Sequence, residues 1–184
     1  MKSLEYVHIQ MHISSKEISE KLPKIISYKE AVDMIATLRS EGKTVVFAQG
    51  VFDILHDGHV QFLREAKSKG DILIVGIEND AGVRKNKGQT RPLNSQEKRL
   101  DVLRELASVD YVFAFDDDLI YDEPGDEIAY IKRYNDLLPN FVAVSSWDPY
   151  LSQIQKRVEK AGTTIYPIDI KVADLSTTTI KNRL

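Results

Sequence analysis

The sequence predicts an α/β protein built on a five-stranded parallel sheet with helices on both faces. From Lys43 onward, short apolar runs alternate with segments of helical periodicity, which is the pattern of successive strand–helix–strand units. The apolar runs are mostly continuous rather than alternating, as expected of strands that are buried on both faces. Such connections are right-handed, so the sheet is expected to be parallel and covered on both sides.

In chain order, the predicted elements form a Rossmann-like fold. The runs that predict strands occupy residues 44–48, 72–77, 111–115, 141–144 and 164–168. Helical patterns occupy residues 59–69, 95–107 and 150–161, with a weaker one at residues 126–135. Ligands in such sheets bind at the carboxyl ends of the strands, where the strand order reverses, so functional residues are expected there.

Residues 1–42 form a predicted N-terminal helical extension, and residues 43–184 form the main domain. Ser27 and Glu30 have the spacing of a capping box at a helix start. Gly42 is expected to end that helix. The extension is expected to pack on the core or on a partner subunit.

The composition is that of one soluble globular domain. The 184 residues, 42% hydrophobic and 29% charged, suffice for one core but not for two of ordinary size. Apolar runs fall short of the roughly 20 residues that span a bilayer, and polar residues interrupt any signal peptide, so a cytoplasmic protein without a membrane partner is expected. Disulfides are excluded because the chain has no cysteine.

The net charge of −3 repels polyanions, so an anion site needs local positive charge. No nucleic-acid partner is expected.

Residues 56–59, His-Asp-Gly-His, directly follow the first predicted strand and open a helical pattern. A helix N-terminus offers unpaired N–H donors and the positive end of the helix dipole, so it favours phosphate. Gly58 has no Cβ and lets a phosphate chain approach the backbone. His56 and His59 are three residues apart and therefore share one helical face, where both imidazoles can donate to the same anion. The pattern predicts charge stabilisation in phosphoryl-group chemistry.

A zinc site and a purely structural role are the competing interpretations of the histidine pair. A structural zinc site takes four nitrogen or sulfur ligands, and the chain has no cysteine. Either histidine could also be a satisfied surface or core residue. The Gly-x-Gly-x-x-Gly fingerprint and the Walker A motif are both absent, which removes the two commonest rival phosphate sites on an α/β sheet.

The residues around the histidine pair resemble the signature of the cytidylyltransferase-like nucleotidyltransferases, G-x-F-D-x-x-H-x-G-H. Residues 50–59 read GVFDILHDGH, so every fixed position is matched. Residues 87–94 look most like the ADP-heptose synthase adenylyltransferase branch of that family, with glycerol-3-phosphate cytidylyltransferase as a near relative. The resemblance implies that the nucleotide is bound by Gly50, Val51, Phe52, Asp53, His56, Gly58 and His59.

A basic segment follows the second predicted strand. Residues 79–92 carry four basic residues and two glycines, and we interpret them as a mobile loop beside the site. An ordinary solvated loop is the alternative. The resemblance implies that Lys87 meets the phosphate of the acceptor substrate, with Lys85 and Arg91 also in the acceptor set.

The helix after that segment carries Arg99. Asn94 is the expected N-cap of this helix, with Glu97 completing a capping box. The resemblance gives Arg99 a contact to the nucleotide or the acceptor, and an exposed helix charge is an equal alternative.

Near the C-terminus the sequence predicts a second phosphate cradle. Ser176 is expected to cap a final helix, where hydroxyls and free N–H groups donate to phosphate oxygens. The family usually has arginine at the position of Lys171. Lysine keeps the positive charge but cannot bind a phosphate through two parallel hydrogen bonds as arginine does. This segment resembles the family's second signature, which implies nucleotide binding by Lys171, Leu175, Ser176, Thr177 and Thr178.

The segment after the fourth predicted strand departs from both branches. Residues 144–149 read VSSWDP, where the heptose branch usually has Lys-Gly-Gly-Asp and the cytidylyltransferase branch has Gly-Asp-Asp-Trp. Trp147 is assigned to the acceptor set, where it can stack on a base or sugar, and anchoring of the loop on the core is the alternative.

The resemblance implies transfer of a nucleoside monophosphate from ATP to a sugar 1-phosphate of the heptose type, with release of pyrophosphate. His56 and His59 would stabilise the developing charge, and Lys87 would hold the acceptor. Mg²⁺ is expected to travel with the triphosphate, with Asp53 as a candidate indirect ligand and no dedicated protein metal site. The alternatives are a CTP-dependent enzyme acting on glycerol 3-phosphate and a non-catalytic nucleotide-binding subunit. A homodimer is the expected assembly.

Overall fold

The computed structural model describes residues 24–170 and confirms the predicted α/β fold. One five-stranded sheet, parallel throughout, has the order β3-β2-β1-β4-β5, so the order reverses between β1 and β4. The strands are β1 (Val45–Gly50), β2 (Ile72–Ile77), β3 (Tyr111–Ala114), β4 (Phe141–Ser145) and β5 (Thr164–Ile168). The helices of this part of the chain are α1 (Tyr28–Ser40), α2 (Asp57–Lys67), α3 (Asp80–Lys87), α4 (Gln96–Arg104), α5 (Glu127–Leu137) and α6 (Leu151–Lys160), with a short 3₁₀ turn at Pro124–Asp126. Across the described residues no helix is long and apolar enough to cross a membrane.

Strand β1 lies at the centre of the sheet and supplies side chains to both halves of the core. Val46 and Ala48 pack in the half that contains Leu63 of α2. Val45 and Phe47 pack in the opposite half, which α1, α5 and α6 cover. All four strand side chains are fully buried. Each large apolar side chain stabilises the fold by about 1.5–3 kcal/mol when buried, so burial on both faces explains the continuous apolar run.

Helix α1 packs on the core of the domain. The predicted capping box is present, because Ser27 accepts from the Glu30 N–H while the Glu30 carboxylate accepts from the Ser27 N–H. Ala31 and Ile35 are fully buried in the same half of the core as Phe47. Beyond the helix end, Gly42 has a φ of +78°, the left-handed conformation that glycine adopts without steric cost.

The basic segment after β2 is a helix, which corrects the prediction of a mobile loop. Asp80–Lys87 form α3, and Asn79 Oδ1 caps it by accepting from the Gly82 N–H at 2.7 Å. The helix ends at Gly88, whose φ is +89°. Val83 is its only large buried apolar residue, so the hydrophobic periodicity that predicts helices is missing from this segment.

Helix α4 begins one residue later than predicted, which corrects the assignment of its cap. Ser95 is the N-cap residue, and its side chain makes no capping hydrogen bond. The Asn94 N–H instead donates to Asp53 Oδ1 at 2.8 Å, and Asn94 Nδ2 donates to the Asp53 carbonyl at 2.6 Å. The Asn94 side chain, which the local pattern predicts as the helix cap, therefore hydrogen-bonds to Asp53 in another segment.

Candidate active site

A cavity of about 890 Å³ opens at the carboxyl ends of β1 and β4, where the strand order reverses. Gly50 at the end of β1 and Ser145 at the end of β4 both line it. One wall is the start of α2, and the opposite wall comes from α5, α6 and the segment before α5. This is the place where ligands bind in open parallel sheets, so the cavity is the candidate active site.

His56 and His59 stand side by side on the α2 wall. His56 is the N-cap residue of α2, although its side chain does not cap the helix, and its ring lies against that of His59 with centroids 3.8 Å apart and planes at 25°. The Nδ1 atoms of both rings are buried and have no hydrogen-bond partner within residues 24–170. Buried polar atoms are usually paired, so two neighbouring exceptions at a helix start point to a ligand with acceptor or donor oxygens.

Burial keeps both imidazoles neutral near pH 7. The pKa of His59 is lowered from 6.5 to about 4, mainly because burial disfavours the charged form and further because a charge on His56 would repel it. Burial also lowers the pKa of His56, against a smaller raising effect of Asp57. A neutral imidazole keeps one N–H donor, so each ring can donate to a phosphate oxygen. A bound polyphosphate would raise both pKa values again, because an adjacent negative charge favours the protonated form.

A strained turn delivers the histidines to the cavity. Phe52 has a φ of +49°, which is uncommon for a residue with a side chain, and its buried ring packs edge-on against His59 with centroids 5.3 Å apart. A Cβ on Gly50 would lie 2.9 Å from Cε2 of Phe52, so glycine is needed there. The turn thus fixes the position of the His59 ring through the contact with the Phe52 ring.

Asp53 holds the segment before α4 against this turn. Its carboxylate accepts from Arg91 Nη1 at 2.8 Å and from the N–H groups of Leu93 at 2.9 Å and Asn94 at 2.8 Å. The side chain is buried, and its oxygens are engaged by these donors. Asp53 therefore braces Arg91, which lines the cavity.

The two lysines of the predicted acceptor set lie in different places. Lys87, in the last turn of α3, lines the cavity. Its pKa is lowered by burial and then by the nearby charge of Arg91. Lys85 forms an ion pair with Asp118 at 2.6 Å and does not line the cavity. The structure brings Lys87 to the candidate site and leaves Lys85 outside it.

Arg99 is buried and does not line the cavity, so its interpretation as an exposed helix charge is wrong, and its contact to the nucleotide or the acceptor stays a prediction. It is 1% exposed. Its guanidinium donates to the carbonyls of Val51 at 2.6 Å and Glu78 at 2.8 Å, and pairs with Asp80 at 2.8 Å. Arg99 ties the turn after β1 to the segment after β2.

Trp147 lies at the rim of the cavity rather than in the core, which corrects the core-anchor alternative. It is 58% exposed and lines the cavity, and its indole N–H donates to Asp169 at 2.9 Å. Stacking of a base or sugar on Trp147 stays a prediction.

The residues Lys171, Leu175, Ser176, Thr177 and Thr178 of the predicted second cradle lie outside the described residues. Their contribution to the nucleotide site stays a prediction.

The wall opposite the histidines is not predicted by any pattern in the sequence. It is rich in tyrosine and contains a buried arginine: Tyr121, Tyr130, Tyr134, Tyr150 and Arg157 all line the cavity. Tyr130 and Tyr134 are one helical turn apart on α5, and this spacing is the only local signal that they share a face. Their proximity to the histidines follows from the sheet order and cannot be read from a local pattern.

A family model described as Cytidylyltransferase-like matches residues 47–183 of the chain. The bifunctional protein HldE of Wolinella succinogenes is 46% identical over 118 residues, which make up 64% of this chain and 24% of that protein. HldE of Campylobacter curvus is 53% identical over 93 residues, which make up 50% of this chain and 20% of that relative. The match thus spans at most about a quarter of the length of these curated relatives.

Two solved structures share the fold. The lipopolysaccharide core biosynthesis protein from Thermoplasma volcanium is 29% identical, with a TM-score of 0.56 that covers 72% of this chain and 100% of that one. Pantoate-beta-alanine ligase from Francisella tularensis is 18% identical, with a TM-score of 0.57 that covers 87% of this chain and 72% of that one. At 18% identity the likeness shows the fold alone.

Proposed function

The chain belongs to the cytidylyltransferase-like family of nucleotidyltransferases, and from that premise we propose that it transfers AMP from ATP to the phosphate of a sugar 1-phosphate of the heptose type. The histidine pair supports the reaction class, because two imidazoles with unpartnered buried nitrogens stand at the N-terminus of α2. The heptose branch is supported by the HldE relatives and by the resemblance over residues 87–94. A carbohydrate acceptor also agrees with the Thermoplasma neighbour, a lipopolysaccharide core biosynthesis protein.

In the proposed reaction an oxygen of the acceptor phosphate attacks the α-phosphorus of ATP. The new phosphorus–oxygen bond forms as the bond from the α-phosphorus to the bridging oxygen breaks, and pyrophosphate leaves with that oxygen. The protein forms no covalent bond, so catalysis consists of positioning and electrostatic stabilisation. His56 and His59 donate to the α-phosphate and bridging oxygens, where negative charge grows in the transition state.

Lys87 is the group that would hold the acceptor phosphate. It lines the same cavity as the histidine pair and makes no ion pair within the described part of the chain, so its charge is available to a ligand. Arg91 adds a second positive charge beside it, although this charge is shared with Asp53.

Mg²⁺ enters as part of the nucleotide substrate. Residues 24–170 contain no group of three side chains that could hold a metal ion, and the Asp53 carboxylate is already engaged by Arg91, Leu93 and Asn94. Mg²⁺ that keeps its waters and binds the triphosphate fits this arrangement. Lys171, Ser176 and Thr177 are proposed to hold the β- and γ-phosphates.

One observation favours a second function, transfer of CMP from CTP to glycerol 3-phosphate. Trp147 and Asp148 both line the cavity, and a tryptophan next to an acidic residue resembles the pattern of the cytidylyltransferase branch. The longer resemblance over residues 87–94 favours ATP.

A pyrophosphate-release screen tests both functions. ATP and CTP, each with Mg²⁺, are incubated with a panel of sugar 1-phosphates, alditol phosphates and glycerol 3-phosphate. Release with ATP and a heptose 1-phosphate is the expected result. Release only with CTP and glycerol 3-phosphate would replace the heptose assignment, and no release with any pair would support a non-catalytic nucleotide-binding subunit.

A further inference from the structure

The cavity has a second end whose chemistry differs from that of the histidine end. We propose that this end, the tyrosine pocket formed by Tyr121, Tyr130, Tyr134, Tyr150 and Arg157, binds the hydroxylated body of the acceptor, and that the Tyr130 hydroxyl selects acceptors by hydrogen bonding to one of their hydroxyl groups. This inference rests on the proposed function and specifies how the same site distinguishes one acceptor from another.

The tyrosine pocket lies across the sheet edge from the histidines. Helix α2 packs on one face of the sheet through Leu63, whereas α5 and α6 pack on the other face through Tyr134 and Val158. One continuous cavity reaches both faces over the ends of β1 and β4. With the nucleotide phosphates at the start of α2, the space towards α5 and α6 is left for the second substrate.

The walls of the pocket are formed by aromatic residues. The rings of Tyr121 and Tyr130 are stacked, with centroids 5.8 Å apart and planes at 23°, and the rings of Tyr121 and Tyr150 are 5.0 Å apart. The Arg157 guanidinium lies 4.3 Å from the Tyr130 ring centre on that wall. Aromatic side chains present apolar surface, edges included, against which the C–H groups of a sugar or polyol can pack. The pocket therefore suits a body with apolar C–H faces and hydroxyl edges.

The charges around the pocket are already compensated. Arg157 pairs with Glu127 at 2.7 Å. Arg133, whose guanidinium lies 5.0 Å from the Tyr130 ring centre, pairs with Glu78 at 2.9 Å and also with Asp117. Among residues 24–170, a second phosphate would find no unpaired cation here, in contrast to Lys87 at the other end. The acceptor is therefore oriented with its phosphate towards Lys87 and its uncharged body in the tyrosine pocket.

Tyr130 supplies a buried polar group to the pocket. It is 1% exposed, and its hydroxyl is buried with no hydrogen-bond partner in the described part of the chain. The neighbouring Tyr134 hydroxyl, by contrast, donates to Gln49 Oε1 at 3.5 Å. A buried hydroxyl without a hydrogen-bond partner disfavours folding. Its presence in a residue that lines the cavity points to a bound ligand that supplies the missing partner.

The test compares Tyr130→Phe with Tyr28→Phe. Phenylalanine keeps the ring that stacks on Tyr121 and removes only the hydroxyl. Tyr28 is the matched control, because its hydroxyl donates to Asp136 on α5 and the residue does not line the cavity. Emission of Trp147, the single tryptophan, reports occupancy at the rim without any need for turnover. The probes are heptose 1-phosphate, its single-position deoxy analogues, inorganic phosphate and ATP.

We expect Tyr130→Phe to weaken heptose 1-phosphate about tenfold, because one hydrogen bond to a buried hydroxyl is lost, and to leave inorganic phosphate and ATP unchanged. One deoxy analogue should bind the native chain about tenfold more weakly and lose nothing further in Tyr130→Phe. The Tyr28→Phe variant should match the native chain throughout.

Equal heptose 1-phosphate affinity in Tyr130→Phe and the native chain overturns the inference, and so does a parallel loss of ATP affinity, which marks a structural role. Pyrophosphate release separates this failure from that of the proposed function. If the native chain releases pyrophosphate with heptose 1-phosphate and Tyr130→Phe has the same acceptor KM, only the inference fails. If the native chain neither binds nor uses any sugar phosphate, both fail.

Discussion

The two ends of the cavity are built in opposite ways. The histidine end comes from one turn and one helix start, residues 50–59, and leaves two buried ring nitrogens unpartnered within the described residues. The tyrosine pocket is assembled from the segment before α5 and from α5 and α6, and its arginines are paired with carboxylates. The histidine end can donate hydrogen bonds to an anionic ligand. The tyrosine pocket can pack against an uncharged ligand and hydrogen-bond to it through a hydroxyl.

Under the proposed function, this difference places chemistry and acceptor selection in separate parts of the molecule. Groups that act on transition-state charge affect kcat, whereas groups that contact the non-reacting body of a substrate affect its KM when they bind ground state and transition state equally. A chain that separates the two can change its acceptor by substitutions on α5 and α6 while the turn after β1 stays the same.

The largest expected effect is at the histidine end. His59→Ala should lower kcat by about 10²-fold or more and weaken ATP binding much less, because its N–H stabilises charge that exists mainly in the transition state. Steady-state pyrophosphate release and calorimetric ATP titration measure the two quantities. Gln61→Ala, an exposed position on the same helix, is the control. Near-native kcat in His59→Ala would remove the chemistry from this end.

Lys87 lines the cavity at the histidine end and should affect the acceptor alone. Lys87→Ala should lower kcat/KM for the sugar phosphate by about tenfold or more through loss of a charge-assisted contact, with ATP affinity nearly unchanged. Lys85→Ala is a matched control on the same helix, because Lys85 pairs with Asp118 away from the cavity. Equal losses in the two variants, or equal losses for ATP and acceptor, would contradict the assignment.

The choice of base gives an effect of similar or smaller size. ATP should bind at least about tenfold more tightly than CTP, because a wrong base leaves buried polar groups unpaired at about 1–3 kcal/mol each. Calorimetric titration with both nucleotides and Mg²⁺ measures the ratio. Tighter binding of CTP would favour the glycerol-phosphate alternative and leave the role of His56 and His59 untouched.

The last expected effect is on the pH dependence of stability and not on activity. The pKa of His59 is about 4 in the folded chain and 6.5 as the reference value, so the unfolded chain binds more protons between these values and stability rises with pH across that window. Relative to His59→Gln, the native chain should lose about 2–3 kcal/mol of stability from pH 6.5 to pH 4, which is roughly 5–10 °C in Tm. Thermal unfolding of both chains at several pH values measures this difference. Parallel curves would show that His59 is not buried as neutral imidazole.

Saturating ATP adds a sharper form of this pH test. The triphosphate should raise the pKa of both histidines, so ATP binding near pH 6 should take up protons. Titration in two buffers with different ionisation enthalpies gives the proton count, and no uptake would place the triphosphate away from the ring nitrogens.

The elements that the sequence predicts best are those whose signals are local. The strand β2 at Ile72–Ile77 and the capping box at Ser27 are found as predicted, because a buried parallel strand and a helix cap each leave their pattern in adjacent residues. The histidine signature is equally local, since a turn and a helix start place its members together. Residues 50–59 are therefore enough to predict this end of the site from the amino-acid sequence alone.

The predictions that fail depend on distant partners. Asn94 has the composition of a helix cap, yet Asp53 engages it from another segment. Arg99 has the pattern of an exposed helix charge, yet its buried guanidinium contacts Val51, Glu78 and Asp80. The tyrosine pocket has no local motif at all, because sheet order alone brings Tyr121 and Arg157 to the same cavity as the histidines.

A double-mutant cycle with His59→Ala and Tyr130→Phe tests the separation of the two ends most directly. Pyrophosphate release with ATP and heptose 1-phosphate is measured for the native chain, both single variants and the double variant. Because the ends lie on opposite faces of the sheet, the losses in kcat/KM should multiply, with a coupling free energy below about 0.5 kcal/mol. His59→Ala should carry its loss in kcat and Tyr130→Phe in acceptor KM. A coupling above about 1 kcal/mol, or both losses in the same kinetic constant, would contradict a division between chemistry and acceptor selection.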